Sequence, residues 1–214
     1  MEQLIVLTGP VSAAKTETGI ALVTRISRQK SPSGERLMNI AHFRPKESQR
    51  SEEKIGEVTV SKSGMKVCCT YIDSIDDIEL HIDDEIDGIW LDEIHFWEKG
   101  ESTPVVFEKV QELRKRGKLV IVSGIGADVK CDPICTSFGF LLQTADKIEH
   151  LLADCDWCGK LYSASRNVYI GGDMYQQGVK LGGYESFRPA CIDCYNEVID
   201  LSSHEKILHL SNNF

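Results

Sequence analysis

Apolar residues along this chain arrive in short unbroken runs, separated by stretches in which they recur every three or four positions, and that texture predicts strands interleaved with helices. Leu4-Ile5-Val6-Leu7 is too short for a helix and ends in Thr8-Gly9. From Lys15 onward Ile20, Ala21, Val23, Thr24 and Ile26 follow a helical spacing, which Ser31-Pro32-Ser33-Gly34 interrupts. Met38 to Phe43 predicts a second strand closed by Pro45, and Val67 to Ile72 a third. Ile75, Ile78, Ile82 and Ile86 stand three or four apart among acidic residues, which predicts an amphipathic helix with a solvated acidic face. Ile89-Trp90-Leu91 is a short strand ending in Asp92-Glu93. Residues 104–116 predict a helix with Arg114, Lys115 and Arg116 at its basic end and Gly117 beyond it, and Leu119 to Gly124 a buried strand. Unbroken apolar strands are covered on both faces, so the expected fold is α/β: a mostly parallel sheet with helices on both faces and right-handed crossovers.

The polar stretch from Lys46 to Ser63 reads as a loop. Beyond about Leu151 the texture changes to Cys, Gly, Tyr and Ser. This places a domain boundary there: residues 1–150 as one domain, 151–196 as a second, and 197–214 as a tail with a short helix around His204 to Leu210. Within the second domain Leu161 to Ser163, Asn167 to Ile170 and Gly178 to Leu181 are strand candidates between Gly171-Gly172 and Gly182-Gly183.

Cysteine usage changes the picture further. Cys155 and Cys158 form one C-x-x-C pair, and Cys191 and Cys194 a second. Each pair places two thiolates on a tight turn, and two such turns complete a tetrahedral sulfur shell suited to structural Zn2+. Cys68, Cys69, Cys131 and Cys135 are scattered and read as buried small hydrophobes in a reduced protein. A net charge of −9 argues against a general nucleic-acid-binding surface, so any anion must be captured locally. No window holds the roughly 18 apolar residues of a membrane span, and no signal peptide precedes the first strand, so the expected location is cytoplasmic.

The chemistry begins at Gly9-Pro10-Val11-Ser12-Ala13-Ala14-Lys15-Thr16, set between a strand and a helix. In a phosphate loop, backbone N–H groups curl around a phosphate, a helix N-terminus points at it, Lys reaches the terminal phosphates and Ser/Thr holds Mg2+. Lys15 and Thr16 fit those roles. Ala14 stands where the pattern has glycine, and by itself the octet also fits a generic strand-to-helix turn. Asp92-Glu93, at the end of an apolar strand, supplies a carboxylate for Mg2+ and a neighbour able to act as general base toward a substrate hydroxyl; the plain alternative for Glu93 is an exposed loop acid. His95 has no second histidine at ligand spacing and reads as a packing or hydrogen-bonding residue.

With these residues in place the chain resembles the type II, cellular and bacterial, thymidine kinases over most of its length. Gly9 to Thr16 is similar to that family's G-P-M-F-S-G-K-[ST] loop, and Asp92 to Phe96 to its D-E-x-Q-F segment, which puts Glu93 on the catalytic base. Arg44-Pro45 through Arg50 is similar to K-P-x-x-D-T-R, with Arg50 on the motif arginine. Gly124 to Pro133 resembles G-L-D-x-x-F, and Leu141 to Leu151 the helix before the first cysteine pair. Lys180 to Phe187 resembles the I-G-G-x-x-x-Y lasso that folds over the nucleoside base, so Val129, Leu181, Gly182, Tyr184 and Phe187 become substrate neighbours by resemblance. The departures are Ala14, Ser12, Ser48, Gln49, Gly126, Val129, His95 and Phe187 at motif positions.

What the resemblance implies is a RecA-like P-loop domain with a small zinc-ribbon and lasso domain, and an ATP-dependent nucleoside kinase acting on thymidine or a related deoxynucleoside. ATP, Mg2+ and structural Zn2+ are the implied cofactors, the nucleoside the implied partner, and a homotetramer the implied assembly. The expected roles are Lys15 for phosphate charge, Thr16 and Asp92 for Mg2+, Glu93 as base and Arg50 for anion stabilisation, with residues Gly9 to Thr16 holding the nucleotide. A catalytically weak, kinase-like binding protein is the alternative.

Overall fold

The computed structural model describes residues 3–35, 37–49, 58–98, 104–129, 131–170 and 186–200, with residues 199 and 200 described by backbone alone. In chain order the elements begin with β1 (Leu4–Thr8), α1 (Lys15–Ser27), β2 (Ile40–Pro45), β3 (Val58–Val60), β4 (Lys66–Cys68), β5 (Thr70–Ile72) and β6 (Gly88–Leu91). They continue with α2 (Val105–Lys115), β7 (Leu119–Gly124), α3 (Thr136–Thr144), β8 (Lys147–His150), β9 (Arg166–Tyr169), β10 (Phe187–Ala190) and α4 (Ile192–Asp200).

A six-stranded sheet runs in the order β5-β2-β6-β7-β1-β8, and every pairing in it is parallel. Strand alternation divides its side chains between two layers. Leu4, Val6, Ile89, Leu91, Val120 and Val122 pack beneath Val106, Val110 and Leu113 of α2 and Phe138 and Leu141 of α3. Ile5, Leu7, Trp90, Leu119 and Ile121 pack on the opposite face beneath Ile20, Leu22 and Val23 of α1. Both faces are therefore dry, which is why the strands read as unbroken apolar runs rather than as alternating ones. The α1 helix crosses close to the sheet: a Cβ built on Gly19 would sit 2.2 Å from the Trp90 ring, so only glycine lets the helix lie down there.

Several sequence expectations are revised. The third strand is two strands, β4 pairing antiparallel with β3 and β5 joining the edge of the main sheet beside β2, because the chain changes partners at buried Cys69. The helix expected over Ile75 to Ile86 is a single 3-10 segment, Ile75–Leu80, opened by a Ser74/Asp77 capping box. Ile75 and Ile78 enter the core, and beyond the segment Glu85 N–H turns back to the Asp83 carboxylate instead of continuing a helix. The stretch Leu141 to Leu151 holds the end of α3 and then β8, not one helix, and β3 lies inside the expected polar loop. Leu161 and Tyr162 form a turn rather than a strand, whereas Asn167 to Tyr169 falls within β9. The Gly178 to Leu181 candidate and the 204–210 helix lie outside the described residues.

The cysteine-rich segment forms a small unit of its own texture. β9 and β10 pair antiparallel, Ala153 bridges to Ala164, and Tyr195 and Val198 of α4 pack on Val168 and Ala190. Among the described residues no helix is long and apolar enough to cross a membrane.

Candidate active site

The loop expected to hold phosphate spans the end of β1 and the start of α1. Ala14, the residue before α1, has φ 58° and ψ 28°, and among the described residues no side chain caps the helix. Orphan N–H groups at the first turn are left open toward an anion, with the positive end of the helix dipole behind them. Ser12 is also left-handed, at φ 62°. Two non-glycine residues in that region within three positions hold strain of about 1–2 kcal/mol each. At Gly9 the requirement is space: an added Cβ would lie 2.2 Å from the Leu151 carbonyl oxygen. The Lys15 ammonium folds back beneath the loop, donating to Gly9 O at 3.0 Å and Pro10 O at 2.6 Å. Burial pulls the Lys15 pKa below its ordinary value, while Glu93 and then Asp92 push it back up.

The acid pair stands at the end of β6. Because all six strands run the same way, their C-terminal ends meet at one edge, and the crevice there is where α/β sheets hold ligands. Asp92 is buried; its Oδ1 accepts from Ser123 Oγ at 2.5 Å and from Glu93 N–H at 3.1 Å. Ser123 in turn accepts from Trp90 Nε1 at 2.8 Å, so a buried relay running from the core fixes the carboxylate. Among the described residues Asp92 Oδ2 has no hydrogen-bond donor, and it faces Arg44 Nε at 3.5 Å. Burial raises the Asp92 pKa, opposed first by the Arg44 charge. A buried, hard carboxylate oxygen in this condition suits a divalent cation with oxygen ligands.

Glu93 is not an exposed loop acid, since its side chain is only 18% accessible. Its backbone is left-handed at φ 56°, which turns the carboxylate away from the strand direction. Arg44 Nη2 lies 4.0 Å from Oε1, and His95 Nε2 lies 3.6 Å from Oε2. Burial, reinforced by the charge of Lys15, holds the His95 pKa down at about 3, so the ring is neutral near pH 7. Ile125 N–H donates to His95 Nδ1 at 3.5 Å, which leaves the single ring proton on Nε2, facing Glu93. His95 is thus a hydrogen-bonding residue, as its isolation from other histidines implies.

The four sulfurs of Cys155, Cys158, Cys191 and Cys194 lie within 4.8 Å of one another, with Cys158 and Cys191 3.9 Å apart. Zn–S bonds near 2.3 Å in a tetrahedron require sulfur separations of about 3.8 Å, so this set fits a metal ion such as zinc. Burial pushes the Cys155 thiol up, but N–H donors from Cys191, Cys158 and Trp157 outweigh it and bring the pKa to about 6. The Cys191 N–H to Cys155 Sγ bond is 3.3 Å. All eight cysteines are free thiols. The expectation that the scattered ones are buried holds for Cys69 and Cys135 and fails for Cys68 and Cys131, which are exposed. Cys68 lies on β4 of the small hairpin rather than in the main sheet, and Cys131 occupies a left-handed turn at φ 66°.

Of the residues singled out from the sequence, Gly9 to Thr16, Asp92 and Glu93 gather at one edge, with Lys15 in electrostatic reach of both acids. Val129 sits on the loop after β7, where its carbonyl accepts from Tyr195 Oη at 2.7 Å. Phe187 opens β10 and its ring packs against Tyr169, centroids 5.3 Å apart. Arg50, Leu181, Gly182 and Tyr184 lie outside the described residues. Sequence reasoning missed Arg44, Ser123, Lys62 and Asn167. Arg44, at the end of the second strand just before Pro45, shares the sheet edge with Asp92 through the register of β2 on β6. Lys62, whose ammonium donates to Ser12 Oγ at 2.7 Å from the tip of the β3–β4 hairpin, and Asn167, whose Oδ1 accepts from Val11 N–H at 2.8 Å, carry no local signal.

Comparison with known proteins agrees across nearly the same span. The thymidine kinase family model matches residues 2–195. A thymidine kinase from Roseiflexus sp. (strain RS-1) is 28% identical over 194 residues, covering 89% of this chain and 93% of its own. One from Mycoplasma mycoides subsp. mycoides SC is 28% identical over 197 residues, covering 88% and 86%. A third, from Roseiflexus castenholzii, is 27% identical over 194 residues, covering 89% and 92%.

Proposed function

The chain belongs to the thymidine kinase family, and from that premise we propose that it transfers the γ-phosphoryl group of ATP to the 5′-hydroxyl of thymidine or a closely related deoxynucleoside. The observation that carries this reading is the meeting of Lys15, on an uncapped helix start, with the Asp92-Glu93 pair across the sheet edge. One end of that crevice attracts a polyphosphate and the other carries an acid able to take a proton. That is what phosphoryl transfer to an alcohol requires.

In this reading the N–H groups from Ser12 to Thr16 and the Lys15 ammonium bind the β- and γ-phosphates, Lys15 leaving the carbonyls of Gly9 and Pro10 to do so. Lys62 adds a second ammonium at the loop's outer side. Glu93 accepts the proton of the 5′-hydroxyl as its oxygen bonds to the γ-phosphorus and the bond to the β–γ bridging oxygen breaks, giving ADP and the nucleoside monophosphate. His95 Nε2–H and Arg44 hold the Glu93 carboxylate in place. Thr16 and Asp92 would hold Mg2+, which supplies charge neutralisation between the phosphates when bound. The catalytic work is positioning and charge stabilisation.

Arg50 as an anion-stabilising group, and Val129, Leu181, Gly182, Tyr184 and Phe187 around the nucleoside, complete the proposed site. Zn2+ in the four-cysteine set would pin the segment 151–196 as a lasso-bearing domain beside a kinase domain of residues 1–150, with 197–214 as a tail. A cytoplasmic homotetramer is the assembly this family membership favours. With ATP, Mg2+ and a panel of nucleosides, thymidine turnover should appear and fall by about 10²-fold or more in Glu93→Ala. Absence of turnover with every nucleoside would reject the reading in favour of a binding-only protein, an alternative that the relatives do not support.

A further inference from the structure

We propose that Asn167 is a positioning residue for the phosphate loop, through which the metal-holding unit sets the protein's grip on the nucleotide phosphates. The inference rests on the ATP-binding reading above. The loop braces itself poorly: Pro10 has no N–H to give, and the Ala13 N–H to Pro10 O contact is long, at 3.4 Å. Its middle is held from outside instead. Asn167, buried on β9, accepts the Val11 N–H at 2.8 Å across 156 positions of sequence.

Two further contacts come from the same unit. Ala13 packs against Ala153, Cys155, Ala164 and Cys191, and the Leu151 carbonyl stops against Gly9. The position of Asn167 is itself fixed by the cysteines, because β9 pairs with β10 at Asn167↔Pro189, two residues before Cys191. The wall behind the loop therefore includes Cys155 and Cys191 of the four-cysteine set. Among the described residues Asn167 is the polar link across it in which a side chain reaches a loop N–H, and an amide oxygen held at that point fixes where the neighbouring N–H groups of Ser12 and Ala13 face. A second residue supplies an internal contrast: Tyr195, next to Cys194, donates to Val129 O on a different loop and does not touch the phosphate loop hydrogen bond.

The test uses the full chain with its metal and the near-isosteric pair Asn167→Leu and Asn167→Asp, of which only the second keeps an acceptor. ADP affinity by calorimetry, KM for ATP, KM for thymidine and zinc per chain are measured together. Asn167→Leu should weaken ADP binding and raise KM for ATP about tenfold, with zinc content and thymidine KM within twofold of the parent. Asn167→Asp should restore ADP affinity to within twofold, and Tyr195→Phe should leave ADP affinity unchanged. Unchanged ADP affinity in a zinc-replete Asn167→Leu, equal damage from Asn167→Asp, or loss of zinc in Asn167→Leu would each overturn the proposal. Should the leucine variant not fold, Asn167→Ala and Asn167→Asp carry the same comparison. ADP binding is read without turnover, so a parent chain that binds ADP but phosphorylates no nucleoside would reject the proposed reaction and leave the role of Asn167 to be decided by the variants.

Discussion

Three residues at the crevice, Ser12, Ala14 and Glu93, hold left-handed backbones that L side chains disfavour. Strain concentrated in this way persists only where surrounding contacts over-determine it, and here the Asn167 bond and the Asp92 relay do so. Ala14→Gly removes a methyl from that region. The relief of about 1–2 kcal/mol exceeds the extra backbone entropy of glycine, roughly 0.5–1 kcal/mol. A net gain of about 0.5–1 kcal/mol in urea unfolding is expected; a loss of stability would mean the methyl packs usefully in the loop. The position was legible in the sequence, because the motif's second glycine falls on Ala14. The strain at Glu93 was not, since nothing local marks a carboxylate as left-handed. At the same scale, Glu93→Gln keeps the shape and removes the proposed base. Turnover should fall by about 10²-fold with ADP affinity within a fewfold of the parent, checked by single-turnover kinetics beside ligand titration.

At the scale of elements, the parallel sheet was readable as a set of unbroken apolar runs, and its strand-to-helix order followed. The connections were harder. The isoleucine spacing from Ile75 to Ile86 matches a helix, yet only one short 3-10 segment forms, because the residues beyond it satisfy their backbone through local acid turns and through the Lys118 ammonium on the Ile86 carbonyl. Periodicity reports which side chains are buried, not which backbone bonds bury them. Glu98 is a second case that pattern could not reach. It is fully buried, its Oε1 accepting from Val106 N–H at 2.9 Å at the start of α2 and its Oε2 from Ser137 N–H at 2.9 Å at the start of α3. Ser137 Oγ donates to it as well. One side chain therefore caps two helices. Glu98→Ala strands buried donors on both and should destabilise the protein by about 2–4 kcal/mol in urea or thermal unfolding, with thymidine KM unchanged in the folded fraction.

For the molecule as a whole, buried neutral histidines couple stability to acid. The His95 pKa falls from 6.5 to about 3 on folding, with burial the first cause, and His42 moves in the same direction for the same reason. Above pH 6.5 the His95 ring is neutral in both folded and unfolded chains and adds nothing to the pH dependence. As pH falls below that value the unfolded chain takes up the proton and the folded one does not, so stability is lost progressively down to about 3. The slope is about 1.4 kcal/mol per pH unit for each such group. Stability measured by urea should therefore decline between roughly pH 6 and pH 4, and His95→Gln should flatten that limb by about one group's share. A slope unchanged by the substitution would show that His95 protonates as readily in the folded chain.

The proposed metal site acts at the same scale. Stripping the ion with a chelator should expose the amides of β9, β10 and α4 to hydrogen exchange, because structural zinc contributes on the order of 10 kcal/mol to the unit it closes. Protection along β1 and β7 should survive, since their packing is independent of the sulfurs.

By itself the sequence determined the layered α/β fold, the place of the Gly9 to Thr16 loop between β1 and α1, the acid pair at the end of β6 and the four cysteines that cluster. Each of these is written in local spacing, where hydrophobic period, turn chemistry and ligand interval act over a few residues. Only the tertiary structure decided that Arg44 lies against Asp92, that the His95 tautomer presents its proton to Glu93, and that Asn167 reaches back to Val11. The Arg44 and Asn167 contacts join residues 48 and 156 positions apart, the His95 tautomer is set by the Ile125 N–H 30 positions away, and their geometry comes from packing whole elements together. No short-range pattern encodes a distance of that kind.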